Sequence, residues 1–152
     1  MEDLHYIDVH NFFTKNGKTC SVNISYQLFG KPLHEAPVVM INHALTGNSN
    51  VAGADGWWSS IVGHGKLIDT TFYTVLAFNI PGNGQDQNPS NLIDNYKDFT
   101  AGDIAQIFAL ALNKLKITQL FAVIGGSVGG GLAWELAALL SLIHISEPTR
   151  HR

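Results

Sequence analysis

Cysteine is almost missing from this chain. Cys20 stands alone among 152 residues, so no internal disulfide can form. A disulfide-stapled secreted scaffold is thereby excluded, and a reducing cytoplasm is the expected compartment. Charge is scarce as well: Asp, Glu, Lys and Arg make up 14% of the chain, nine basic against twelve acidic, for a net −3. That balance lacks the basic surplus needed to grip nucleic acid or an anionic membrane surface, so neither is expected as a partner. The opening MEDLHYIDVHNFF has no basic start and no long apolar run, unlike a targeting segment. The longest apolar stretch, 131–145, is too short and too interrupted to span a bilayer. What the chain does have is apolar material, 45% of its residues, enough for the packed core of one soluble domain.

Arginine is absent from the first 149 residues and then occurs at Arg150 and Arg152, against seven lysines and twelve asparagines elsewhere. Such a bias points to AT-rich coding DNA, and a P-T-R-H-R ending is foreign to it. Residues 140–150 read L-S-L-I-H-I-S-E-P-T-R, which resembles the translation of a transposase-based sequencing adapter. The ordinary reading of the same residues is an amphipathic helix end stopped by Pro148. Residues 140–152 are therefore expected to be a non-native tail, and 1–139 a truncated domain.

Along those 139 residues strand and helix signals alternate. Residues 5–13 and 21–29 alternate apolar and polar positions around a Lys15-Asn16-Gly17-Lys18 turn, which predicts a hairpin. Continuous apolar runs at 38–41, 72–80 and 120–124 predict strands buried on both faces. Thr100 and Asp103 open a helix in the manner of a capping box, with apolar residues at helical spacing from Ile104 to Leu115. A second apolar helix is expected over 132–139, and a long polar loop over 81–99. Hairpin first, then buried strands alternating with helices, indicates an α/β domain with a mostly parallel sheet.

Between the 120–124 strand and the following helix stands Gly125-Gly126-Ser127-Val128-Gly129-Gly130, which contains the nucleophile-elbow pattern G-x-S-x-G. The turn from strand to helix is so sharp that the serine takes strained backbone angles and bulky neighbours would clash, which explains the flanking glycines. Its hydroxyl then lies over a helix N-terminus, where free N–H groups favour developing negative charge. A glycine-rich turn of this kind can instead cradle phosphate, but neither G-K-[ST] nor G-x-G-x-x-G is present. In such a turn the N–H of the residue after the serine, Val128, serves one side of an oxyanion hole. His43 precedes the serine in the chain, and its expected role is a structural hydrogen bond. Bland roles are expected elsewhere too: Asp69 ordering a loop, Asp103 capping, His64 on a solvated turn, and Trp57 and Trp58 as packing residues.

Five ordered motifs make the resemblance specific. H-A-L-T-G (His43 to Gly47), D-G-W-W (Asp55 to Trp58), G-x-G-K-x-I-D-T (Gly63 to Thr70), N-x-x-G (Asn79 to Gly82) and G-G-S-x-G-G (Gly125 to Gly130) together resemble the homoserine O-acetyltransferase family. The resemblance runs from about His5 to Leu139. It implies the N-terminal part of an α/β-hydrolase fold, with the elbow after the fifth strand. It implies acyl transfer from acetyl-CoA, a co-substrate rather than a bound cofactor, to the homoserine hydroxyl through an acyl-serine. Carried over residue by residue, Ser127 is the nucleophile and Leu45 and Val128 are the backbone oxyanion donors. No metal is implied, and the full-length parent is expected to be a homodimer.

Two segments depart from the family pattern. Residues 82–89 read G-N-G-Q-D-Q-N-P where a G-S-T-G-P-like stretch is usual, and Gly129-Gly130-Gly131-Leu132 replaces the common G-G-M-Q. The acyl donor and acceptor therefore stay open, as does a serine esterase using water. The family's Asp and His follow the nucleophile at a distance and have no counterpart here. A serine without a base is a weak nucleophile, so a non-catalytic truncated product is the third reading. Truncation at this point is also expected to leave the 120–124 strand as an exposed, association-prone edge.

Overall fold

The computed structural model describes residues 3–93 and 99–143. Residues 94–98, near the end of the 81–99 loop, and residues 144–152, the greater part of the expected tail, lie outside them. The hairpin forms as predicted, β1 (His5–Phe13) against β2 (Thr19–Gly30). A bulge between Val9 and Phe12 was not anticipated. Asn11 takes a left-handed φ of 55° there and its N–H donates to Ser21 Oγ; asparagine tolerates this conformation better than most side chains. β3 (Val38–Asn42) and β6 (Thr74–Phe78) are buried at every position, matching the unbroken apolar runs. β7 is Ala122–Gly125.

These five strands make one sheet in the order β1-β2-β6-β3-β7. The first three pair antiparallel, and β6, β3 and β7 run parallel. β7 is the fifth strand of that sheet in chain order and stands at its edge among the described residues, half-buried where β3 is fully buried. The 72–80 run contributes fewer residues to the sheet than expected: Phe72 lies exposed before β6, and Asn79 turns out of it. A two-stranded ribbon, β4 (Val62–Gly63) with β5 (Ile68–Asp69), escaped prediction because two residues carry no periodicity.

Helix α1 (Ala101–Lys114) and helix α2 (Val128–Ile143) cover one face of the sheet. Met40, Leu76 and Phe78 meet Ile107, Phe108, Leu132 and Leu136 there. Phe78 and Phe108 stack at 5.0 Å between ring centroids. The other face packs Val39, Ile41, Val75 and Ala77 under Val51, Val62, Ile68 and Trp58. α2 starts four residues earlier than its apolar run implied and continues across the 139/140 boundary. Glycines 129–131 lie inside it, although glycine propensity argues against helix; close packing accounts for Gly129 but not for Gly131, which has open space around it.

The α1 start is a complete capping box. Thr100 Oγ accepts from the Asp103 N–H, and Asp103 accepts from the Thr100 N–H at 2.9 Å. Asp103 is 1% exposed, and its other oxygen accepts the Lys15 N–H at 2.9 Å, tying the hairpin turn to the helix. Two charge-assisted bonds on a buried carboxylate outweigh one hydroxyl cap. Asp103→Ala should cost about 2–3 kcal/mol and Thr100→Ala about 1 kcal/mol in urea unfolding. Equal losses would show that the Lys15 bond adds nothing.

Candidate active site

β3 and β7 are adjacent and in register, Asn42 opposite Gly125, so the two segments leaving their carboxyl ends emerge side by side. One is the elbow. Ser127 sits at φ +56°, a left-handed conformation that costs a serine about 1–3 kcal/mol and persists only where the surroundings enforce it. Its carbonyl accepts the Gly131 N–H at 3.1 Å, which places Ser127 at the mouth of α2. The serine is exposed. Val128, the first residue of α2, has no acceptor for its N–H within the helix.

The glycines enforce the turn unequally. A Cβ on Gly125 would lie 2.2 Å from the Gly129 carbonyl oxygen. One on Gly129 would lie 2.3 Å from the Asn42 carbonyl oxygen and 2.6 Å from that of His43. α2 therefore rests its first turn directly on the end of β3. Gly130 is tighter than ordinary contact, with 3.0 Å to the Gly125 oxygen, whereas Gly126 and Gly131 face open space. Of the glycines singled out in the sequence, Gly125 and Gly129 are sterically required, Gly130 is closely packed, and Gly126 is unconstrained.

The second segment is the loop after β3. Ala44 accepts the Gly47 N–H at 2.8 Å, closing a tight turn with Leu45 and Thr46 at its tip. Leu45 is 70% exposed, and among the described residues its N–H has no acceptor. Gly129 holds the root of this loop against the elbow, so Ser127, Val128 and Leu45 share one end of the sheet.

His43 anchors the loop from inside. It is 1% exposed, lies 2.6 Å from the Ala44 carbonyl through Nδ1, and accepts the Ile80 N–H at 3.0 Å through Nε2. That pair of bonds assigns the neutral Nδ1–H tautomer. Burial pushes its pKa below the usual histidine value, against a smaller upward pull from the Ala44 bond. Both nitrogens are engaged, so His43 has the structural role expected of it. Beside it, the buried Asn42 amide has neither atom paired among the described residues.

The other candidates also take their bland roles. Asp69 is held below the usual carboxylate range chiefly by Thr71, through its N–H and its side chain, and then by the Gly65 N–H. His64 meets Thr71 Oγ on an exposed turn. Trp57 and Trp58 stack at 5.7 Å; Trp58 joins the core, while Trp57 stays half-exposed and donates its indole N–H to the Asn48 carbonyl. No described histidine or carboxylate bonds the Ser127 hydroxyl. No three His, Cys, Asp or Glu among the described residues are grouped as a metal site requires.

The sequence profile of the alpha/beta hydrolase fold family matches residues 37–147. Among curated proteins, the chain is 36% identical over 135 residues to a homoserine O-succinyltransferase of Magnetococcus marinus, covering 76% of this chain and 34% of that protein. Among solved structures, it superposes on a homoserine O-acetyltransferase of Staphylococcus aureus with TM-score 0.76 and 28% identity, over 90% of this chain and 42% of that one. It superposes on esterase E22 with TM-score 0.72 and 27% identity, over 88% and 43%. The chain thus spans about a third of the curated relative and well under half of either solved chain.

Two outcomes test this geometry. Gly129→Ala should cost about 3 kcal/mol or more, because backbone rather than a flexible side chain blocks the Cβ. Gly131→Ala should gain about 0.5–1 kcal/mol from helix propensity; equal effects in urea titrations would contradict the close approach. For His43, the unfolded chain takes up a proton as pH falls through about 6.5 while the folded chain does not. Stability should therefore be fully present above that pH and decline below it, with His43→Gln flattening the decline in urea titrations.

Proposed function

The chain belongs to the α/β-hydrolase fold family, and on that premise we propose that it is the nucleophile-bearing part of a homoserine O-acetyltransferase-like acyltransferase. Ser127 Oγ attacks the thioester carbonyl of acetyl-CoA, the carbon–sulfur bond breaks, and CoA leaves as the thiol with the serine's proton. The homoserine hydroxyl then attacks the acyl-serine, takes the acetyl group and returns a proton to Ser127. The N–H groups of Leu45 and Val128 stabilise the oxyanion in both steps. The observation that carries this reading is Ser127 at φ +56° at the mouth of α2, packed through Gly129 against the loop that bears Leu45.

The base belongs to the proposal as a group outside the described residues, since His43 is spent on Ala44 and Ile80. Without it, acylation of the 152-residue chain is slow and rests on the oxyanion site alone. A cytoplasmic setting, small-molecule partners only and a homodimeric parent complete the reading. The single cysteine supports the first, as does the fact that no described helix is long and apolar enough to cross a membrane. The relative's succinyl specificity, by its name, keeps succinyl-CoA as the competing donor.

One observation favours a second reading: esterase E22 superposes nearly as well as the acetyltransferase. An activated acetyl ester, p-nitrophenyl acetate, distinguishes the two. Peptide mass spectrometry should find acetyl on Ser127, lost in Ser127→Ala, and homoserine should discharge it faster than water alone. Discharge indifferent to homoserine would favour the esterase, and acetyl on surface lysines with Ser127 unmodified would overturn both.

A further inference from the structure

We infer that Asn79 is a positioning residue for the Leu45 loop: its side-chain amide fixes where that loop, and with it the Leu45 N–H, stands beside Ser127. The inference rests on Leu45 as an oxyanion donor. Asn79 follows β6 and is 2% exposed. Its Oδ1 accepts the Ser49 N–H at 2.8 Å and the Asn83 side-chain amide at 2.9 Å. Its Nδ2 donates to Ser25 Oγ and to Ser49 Oγ, both at 2.8 Å. Every hydrogen-bonding site of the amide is thus occupied, two donors and two acceptor positions. Ser49 in turn donates its hydroxyl to Gln27 Oε1 at 2.5 Å, and both residues are fully buried.

The consequence is mechanical. Ser25 and Gln27 belong to β2 and Asn79 directly follows β6, so the far end of the loop is bolted to β2 and to the exit of β6. The near end is held at Asn42 and His43 by Gly129 and by the Ile80 N–H. Leu45 stands between the two anchors, in a turn closed by Gly47. An aspartate could not donate to both serines and would bury a charge, and an apolar residue would orphan the Ser49 N–H. Only a short neutral group with donors and acceptors on one plane fits.

The test is backbone amide NMR with hydrogen exchange on the ¹⁵N-labelled chain. Asn79→Ala should displace the Leu45 and Ser49 amide resonances and speed exchange at Ser49 more than tenfold beyond the loss of global stability. Val128, on α2, should stay in place. Phe108→Leu, a helix-side core change, controls for destabilisation alone and should leave the Leu45 resonance unmoved. If Asn79→Ala does not fold, Ser25→Ala removes a single partner and should shift Leu45 in the same direction by less. Leu45 and Ser49 changes no larger than those in Phe108→Leu would overturn the inference. Ser127 acylation is read separately, so a missing acyl-serine with the Leu45 displacement intact would sink the function and leave the role of Asn79 standing.

Discussion

The close approach of α2 to the carboxyl end of β3 is the constraint on which the rest of the site depends. There is no room for a single methyl group between Gly129 and the Asn42 and His43 carbonyls. Because they touch, the helix begins immediately after Ser127, the serine is driven to positive φ, and the β3 loop lies beside the helix mouth. A bulkier residue at Gly129 or Gly125 would separate strand and helix, and Ser127 would relax into an ordinary turn.

The polar residues beneath the loop serve the same geometry by different means. His43 stays neutral because it is buried, and neutrality lets one nitrogen accept the Ile80 N–H while the other donates. Asn79, Ser49, Ser25 and Gln27 form a buried network whose members satisfy one another, which is the condition under which such a network rigidifies rather than weakens a core. Steric contact fixes one end of the loop and hydrogen bonding fixes the other. Leu45 is consequently exposed yet anchored on both sides.

Much of this was legible in the residues. The hairpin, the buried runs of β3 and β6, the Thr100–Asp103 cap and the elbow follow from periodicity, capping chemistry and glycine placement. Boundaries at the elbow were not: the glycine run reads as a loop on propensity, and the Asn42 contact that requires glycine at 129 inside the helix is visible only in the fold. The β4–β5 ribbon and the Asn11 bulge were illegible because each depends on one or two residues. The Asn79 network was hidden for another reason. Asparagine and serine in loops are ordinarily solvated, and nothing local tells which of twelve asparagines will be enclosed.

The sheet order carries a consequence for how such a chain is made. β1, β2, β3 and β6 all leave the ribosome before the elbow does, and in the folded sheet they are four contiguous neighbours. β7 follows them in the chain and pairs in parallel with the much earlier β3, Asn42 opposite Gly125. Such long-range parallel pairing is intrinsically slow. Ser127 is thus positioned only once that long-range pairing has formed, because Gly129 sets the elbow against the end of β3. A chain interrupted before β7 keeps most of its sheet and the loop after β3, and presents β3 as an open edge.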